Sequence, residues 1–220
     1  MTPAKARIFI VDDHPLVREW LTNLIDKHAD LKVCGEAEDA AKALLAISEN
    51  PPDLAIIDLS LGSGSGIDLI QSIKSSAPGV AMIVLSMHDE QVYAERCIRA
   101  GARGYIMKRE TANNFIHSIH EVLSANLHLS KRMTELLVEK MVSANSPTGA
   151  PSIAQLSDRE LQVFKLLGQG YEITEIAKML EVNIKTVHTY CSRIKEKIKV
   201  TTAAELSREA RRSHGAISAD

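Results

Sequence analysis

Apolar residues follow two rhythms along this 220-residue chain. In the first half, short unbroken apolar runs alternate with stretches of helical spacing. The runs are Ile8–Val11, Leu54–Ile57, Val80–Leu85 and Gly104–Met107, with a shorter one over Leu31–Gly35. Runs of this length, bounded by turn residues, predict strands buried on both faces. Between them, Val17, Leu21, Leu24 and Ile25 recur at helical spacing behind Pro15, whose missing N–H suits a first helical turn. Asp39 predicts a cap for a helix carrying Ala43, Leu44 and Ile47, which stops at Asn50-Pro51-Pro52. Further helices are predicted over Ile67–Ser75, over Glu90–Ala100 with Gly101 closing it, and after Thr111 with Phe115, Ile116, Ile119 and Val122 on one face. Five such βα units predict an α/β, doubly wound parallel sheet of flavodoxin-like order 2-1-3-4-5.

The second rhythm is helical only. Lys131–Met141 reads as a short amphipathic helix through Met133, Leu136, Leu137 and Met141. Residues 143–152 are small and polar with two prolines, the composition of a linker. Ser157-Asp158-Arg159-Glu160 is a capping box that opens a helix through Leu167. Helices over Ile173–Leu180, Ile184–Val200 and Ala203–Arg212 follow, the first two separated by the three residues Glu181-Val182-Asn183. Two helices across so tight a turn are helix-turn-helix geometry. The expected division is 1–125 for the α/β domain, 126–152 for a linker with its short helix, and 153–220 for an all-α four-helix domain.

Charge sharpens this division. Residues 1–125 carry 12 Lys and Arg against 17 Asp and Glu, whereas residues 153–220 carry 11 against 9. An acidic front and a basic back direct any nucleic-acid contact to the back. Cys34, Cys97 and Cys191 are odd in number, widely spaced and without a C-x-x-C pair, so no disulfide framework or zinc site is expected. The longest apolar run is far too short for a bilayer, and Ile8–Val11 runs straight into two aspartates. The expectation is a cytoplasmic protein with no membrane partner.

The candidate chemistry lies where the strands end. Asp12-Asp13, Asp58, Ser86 and Lys108 each directly follow one apolar run. In a parallel sheet the carboxyl ends share one edge, so three carboxylates, a hydroxyl and an ammonium converge there. Clustered carboxylates repel one another unless a cation joins them. The pattern therefore asks for a divalent metal with an anion beside it. Gly62-Ser63-Gly64 does not open a dinucleotide fingerprint, because the third glycine would have to stand at Ile67.

At these residues the chain resembles the receiver domain of two-component response regulators. The resemblance runs from Arg7 to Leu123. It includes Val11-Asp12-Asp13-His14-Pro15-Leu16-Val17-Arg18, Leu85-Ser86-Met87-His88-Asp89-Glu90 and Ala100-Gly101-Ala102-Arg103-Gly104-Tyr105-Ile106-Met107-Lys108. It implies that Asp58 accepts a phosphoryl group from a sensor histidine kinase. It further implies that Asp12, Asp13, Asp58 and the Ser60 carbonyl hold Mg²⁺, with Lys108 and Ser86 on the phosphoryl oxygens. Tyr105 is implied as a switch ring that responds when Ser86 turns. The side chains of Ser60 and His88 flank the site and are expected to bear on dephosphorylation. Ser86 stands where the family usually has threonine, and Gly62 where it often has proline. The loop from Gly62 to Gly66 is accordingly expected to be loose.

The stretch Ile184–Lys199 holds five basic residues against one acidic, with Val187, Cys191, Ile194 and Ile198 as its apolar stripe. Lys185, His188, Thr189, Ser192, Arg193 and Lys195 fall off that stripe. Basic side chains are drawn to phosphates, and short polar ones reach base edges. Together with Leu156–Leu161, Gly170, Glu175–Leu180 and Lys185-Thr186-Val187, this region resembles the LuxR-type helix-turn-helix domain. The whole chain is thus similar to the NarL/FixJ-type transcriptional regulators. The resemblance implies that His188, Thr189 and Ser192 face bases of double-stranded DNA. Lys185, Thr186, Arg193 and Lys195 would meet its backbone, with a homodimer forming on phosphorylation. Tyr190 stands where the family often has histidine. Two other readings compete: a regulator that ignores phosphate, and a hydrolase working through an aspartyl phosphate. The hydrolase would need a second acid at Ser60.

Overall fold

The computed structural model describes residues 4–62, 65–143, 156–180 and 182–217. The chain divides into two compact units, Met1–Asn145 and Ser146–Asp220. In the first, β1 (Ala6–Val11), β2 (Leu31–Ala37), β3 (Leu54–Ile57), β4 (Ala81–Ser86) and β5 (Gly104–Met107) form one parallel sheet of order β2-β1-β3-β4-β5. Register pairs Val11 with Ile57 and Ile57 with Val84, so these strands end level with one another. The acids and the hydroxyl that follow them are delivered to one edge.

Side chains alternate across the pleat. Ile8, Ile10, Leu54, Ile56, Ile83, Leu85 and Ile106 all join one core cluster. There they meet Leu21 and Ile25 of α1 (Pro15–Ile25) and Phe115, Ile116, Ile119 and Val122 of α5 (Ala112–Leu123). On the opposite phase Phe9, Val11, Ala55, Ile57, Met82, Val84 and Tyr105 are equally buried. Helices α2 (Ala40–Glu49), α3 (Gly66–Ser76) and α4 (Glu90–Ala100) complete this unit's alternation. The helix α6 (Lys131–Ser143) returns to α4: Met133 is buried, and the Ser130 N–H donates to Glu90.

The predicted caps are present. Asp39 accepts from the Lys42 N–H, Thr111 from Asn114, and Gly101 closes α4 at φ +127°. Several boundaries differ from expectation. Strand β2 runs on to Ala37, because β1 continues to pair with it past a register shift at Ile8/Phe9. Strand β4 takes in Ser86 and leaves out Val80. Gly66, expected in a loose loop, is the first residue of α3. A Cβ on it would fall 2.4 Å from the Asp58 carbonyl oxygen, so glycine here serves close approach and not looseness. Ser63 and Gly64 lie outside the described residues.

The second unit is helical: α7 (Asp158–Gly168), α8 (Ile173–Met179), α9 (Ile184–Ile198) and α10 (Ala203–Ile217). The Ser157/Glu160 capping box is formed in both directions. Helix α9 ends two residues before the predicted Val200, because Lys199 adopts the left-handed conformation (φ 58°) that terminates helices. Helix α10 passes the predicted Arg212, since no helix-breaking residue precedes Gly215. Residues 144–152 of the expected linker and Glu181 of the expected turn lie outside the described residues. Among the described residues no helix is long and apolar enough to cross a membrane.

Candidate functional site

Asp12 and Asp58 are each fixed by a short local turn, and Asp13 by a distant backbone N–H. Pro15 pushes the residue before it out of the helical region, so His14 sits extended (φ −91°, ψ 111°) as the N-cap of α1. That bend lets the His14 N–H donate to Asp12 Oδ1 at 2.9 Å. Arg18, one turn into α1, donates to the Asp12 carbonyl at 2.8 Å. Asp58 closes a similar turn, its Oδ1 accepting from the Ser60 N–H at 3.3 Å. Asp13 Oδ2 accepts from the Gly62 N–H at 3.1 Å. A proline at position 62 would have no N–H and could not make that bond.

Lys108 joins the cluster from the far strand. Its Nζ lies 2.7 Å from Asp12 Oδ2 and 2.7 Å from Asp58 Oδ2. Asp12 and Asp58 are 2% and 3% exposed, so this is a buried ion triad. Burial pushes the Asp58 carboxyl above its ordinary range; Lys108 pulls against that, and the charge on Asp12 adds to it. Burial pulls Lys108 down, but the two carboxylates outweigh it and hold its ammonium above the usual value. Three carboxylates against one ammonium leave two negative charges, the complement of a divalent cation. One ligand atom each of Asp12, Asp13, His14 and Asp58 lies within 4.8 Å of all the others. The three carboxylates supply hard oxygen donors, which fit Mg²⁺ or a similar ion. The acidic pocket is thus consistent with a divalent-metal site.

Ser86 ends β4 and Tyr105 lies in the neighbouring β5. Ser86 is fully buried, and its Oγ accepts from the His88 N–H at 3.1 Å. The backbone between β4 and β5 is tied where Lys108 N–H donates to the Ser86 carbonyl at 2.8 Å. Tyr105 is already buried, its hydroxyl donating to the His88 carbonyl at 2.9 Å. Burial raises the Tyr105 pKa beyond any physiological range, so it remains a donor. Ser60 Oγ and His88 Nε2 lie 2.8 Å apart and link the loops after β3 and β4. The predicted pocket residues therefore converge. Sequence reading assigned no role to His14 or to the Gly62 N–H, because neither contact follows from residue type.

In the second unit the stripe Val187, Cys191, Ile194 and Ile198 is buried, as its spacing requires. Lys197 Nζ reaches Glu160 at 2.6 Å and ties α9 to α7. Lys185, His188, Thr189, Ser192 and Arg193 are exposed, whereas Thr186 and Lys195 are half-buried. Thr189 Oγ1 donates to the Lys185 carbonyl at 3.0 Å. His188, Ser192 and Lys195 line a cleft of about 340 Å³ with Tyr171 and Arg211. Tyr171 and Arg211 come from the α7–α8 turn and from α10, and only folding brings them to α9.

Comparison with known proteins agrees with both halves. Residues 8–120 match the response regulator receiver domain, and residues 154–210 match the bacterial regulatory proteins of the luxR family. The chain is 32% identical over 206 residues to the oxygen regulatory protein NreC of Staphylococcus carnosus, covering 91% of this chain and 94% of that one. NreC of Staphylococcus aureus (strain MRSA252) is 32% identical over 204 residues, with the same coverage. Among solved structures, a LuxR-family response regulator from Aurantimonas sp. SI85-9A1 is 30% identical with a TM-score of 0.59, covering 64% of this chain and 100% of that one. RcsB of Salmonella enterica serovar Typhimurium, bound to promoter rprA in the presence of phosphomimetic BeF3-, is 25% identical with a TM-score of 0.59, covering 93% and 97%. With its receiver signature, its acidic phosphorylation pocket and its helix-turn-helix, the chain belongs to the DNA-binding response regulators of two-component systems, a family of transcription regulators rather than classical enzymes.

Proposed function

We propose that Asp58 is the phosphoacceptor and that its phosphorylation governs DNA binding by α9. The observation that carries this is the Lys108 ammonium held 2.7 Å from both Asp12 and Asp58 in a buried pocket. The donor is a phosphohistidine of a sensor histidine kinase. An Asp58 carboxylate oxygen attacks phosphorus, the bond from phosphorus to the donor nitrogen breaks, and its electron pair stays on the imidazole, which takes up a proton. Lys108 leaves its contact with Asp58 Oδ2 for the phosphoryl oxygens, where its compact charge is worth most. Asp12, Asp13, Asp58 and the Ser60 carbonyl would hold Mg²⁺. When bound, that ion neutralises the carboxylates and the phosphoryl oxygens together. Ser86 Oγ gives up the His88 N–H to reach the phosphoryl group, and Tyr105 packs behind it through its bond to the same loop.

Downstream, His188, Thr189 and Ser192 read base edges, while Lys185, Thr186, Arg193 and Lys195 meet phosphates of double-stranded DNA. The RcsB structure supports DNA binding coupled to phosphorylation, because that relative is bound to a promoter in the presence of a phosphomimetic. Phosphorylation shifts the population toward a homodimer that binds two half-sites. The working division is 1–125, 126–152 and 153–220, and the setting is the cytoplasm.

Phosphate-affinity electrophoresis with a small phosphodonor and Mg²⁺ tests the first step. A retarded band is expected for wild type and none for Asp58→Asn. DNA retention of both proteins, with and without donor, tests the second. Identical binding throughout would leave a DNA-binding protein without phosphate control.

A further inference from the structure

We propose that His14 is a metal ligand of the phosphoryl pocket, and that its nitrogen favours divalent transition ions, Co²⁺ strongly and Mn²⁺ more weakly, over Mg²⁺. The inference rests on the reading of Asp12, Asp13 and Asp58 as a cation site. It starts from the local chain. Pro15 fixes His14 in extended backbone at the head of α1. The side chain makes no capping bond there, so it does not serve the helix. Instead its Nδ1 lies 2.6 Å from Asp13 Oδ1 and 3.3 Å from Asp12 Oδ1.

The contact with Asp13 is close but not aligned as a hydrogen bond. Asp13 Oδ1 is a buried oxygen without a hydrogen-bond partner. Its other oxygen is already taken by the Gly62 N–H. Nδ1 and Asp13 Oδ1 therefore approach one another with no aligned hydrogen bond between them. Two ligands at right angles on an ion with bonds of ~2.1 Å lie roughly 3 Å apart. The observed separations of 2.6 and 3.3 Å bracket that bite. His14 is 64% exposed, so its ring is free to adjust by tenths of an ångström.

Donor chemistry sets the consequence. Three carboxylates alone suit hard ions, whereas an added imidazole favours first-row transition ions. An ion bound through Nδ1 leaves the ring its single proton on Nε2. Mg²⁺, which holds its water and prefers oxygen, gains little from the ring.

The test uses tag-free full-length protein with Mn²⁺ alone and Mg²⁺ alone. Electron-spin-echo modulation of the Mn²⁺-loaded wild type is expected to show a directly bonded nitrogen, absent in His14→Gln. Mn²⁺ affinity is expected to fall about tenfold in His14→Gln, with Mg²⁺ affinity changed by less than about twofold. Asp13→Asn is expected to remove both ions. Modulation without a bonded nitrogen in wild type, or unchanged Mn²⁺ affinity in the variant, overturns the role of His14 and leaves the carboxylate site standing. Failure of wild type to bind either ion overturns the site and the role of His14 together.

Discussion

The two working surfaces of this protein are built on opposite terms. In the phosphoryl pocket the charges are buried and already paired: Lys108 bridges Asp12 and Asp58, and backbone N–H groups hold Asp12, Asp13 and Asp58. On α9, Lys185 and Arg193 are exposed. The difference follows from what each must do. Phosphoryl transfer needs charges preorganised in a low dielectric, where they act at full strength. DNA binding draws on counterion release from a charged polymer, which rewards solvated side chains free to follow the backbone. The same lysine chemistry is thus a buried counter-ion in one unit and a solvent-exposed charge in the other.

This contrast predicts unequal costs. Lys108→Ala is expected to have the largest effect. It leaves two buried carboxylates facing each other, a loss of roughly 3–5 kcal/mol. Denaturant unfolding followed by the single Trp20 reads it directly. Millimolar Mg²⁺ is expected to restore more stability to the variant than it adds to wild type. If Lys108→Ala is as stable as wild type without metal, the pocket is not a stored ion triad.

Glu160→Gln comes next. Glu160 is buried; burial pushes its carboxyl up, but Lys197 and the Ser157 hydrogen bonds outweigh burial and leave it below its usual value. A carboxyl lowered on folding stabilises above its unfolded pKa and ceases to do so as pH falls through its folded pKa. The variant is expected to cost the helical unit about 1–3 kcal/mol at neutral pH, with the gap closing on acidification below the ordinary glutamate range. Helical circular dichroism across that range measures it. A gap independent of pH would assign Glu160 to packing alone.

The smallest effect is expected on the exposed surface. Arg193→Ala should leave the melting temperature unchanged and weaken DNA binding evenly across sequences. It should also flatten the salt dependence of log K by about 1. Loss of discrimination between sites, instead of a uniform loss, would move Arg193 from the phosphates to the bases.

Much of this was legible from residue order alone. The five apolar runs, and the polar residues that end four of them, are local, so periodicity and the parallel-sheet rule suffice to place Asp12, Asp58, Ser86 and Lys108 on one edge. The buried stripe of α9 follows from helical spacing in the same way. Less legible were features that depend on distant backbone. The expected loose loop hid two specific tasks: Gly66 lets α3 press against the Asp58 carbonyl, and Gly62 supplies an N–H to Asp13. The end of α9 at Ile198 turned on the left-handed conformation of Lys199, a conformation that residue type does not favour.

By itself, then, the residue order determined the class of each unit, the order of the strands and the set of groups that meet, since hydrophobic period and chain chirality act locally. Tertiary structure alone decided who pairs with whom. Lys108 and Asp12 are 96 residues apart, and Ser60 and His88 are 28 apart. Their distances depend on how the packed core sets strand register and loop height, to within the few tenths of an ångström that separate a hydrogen bond from a near miss.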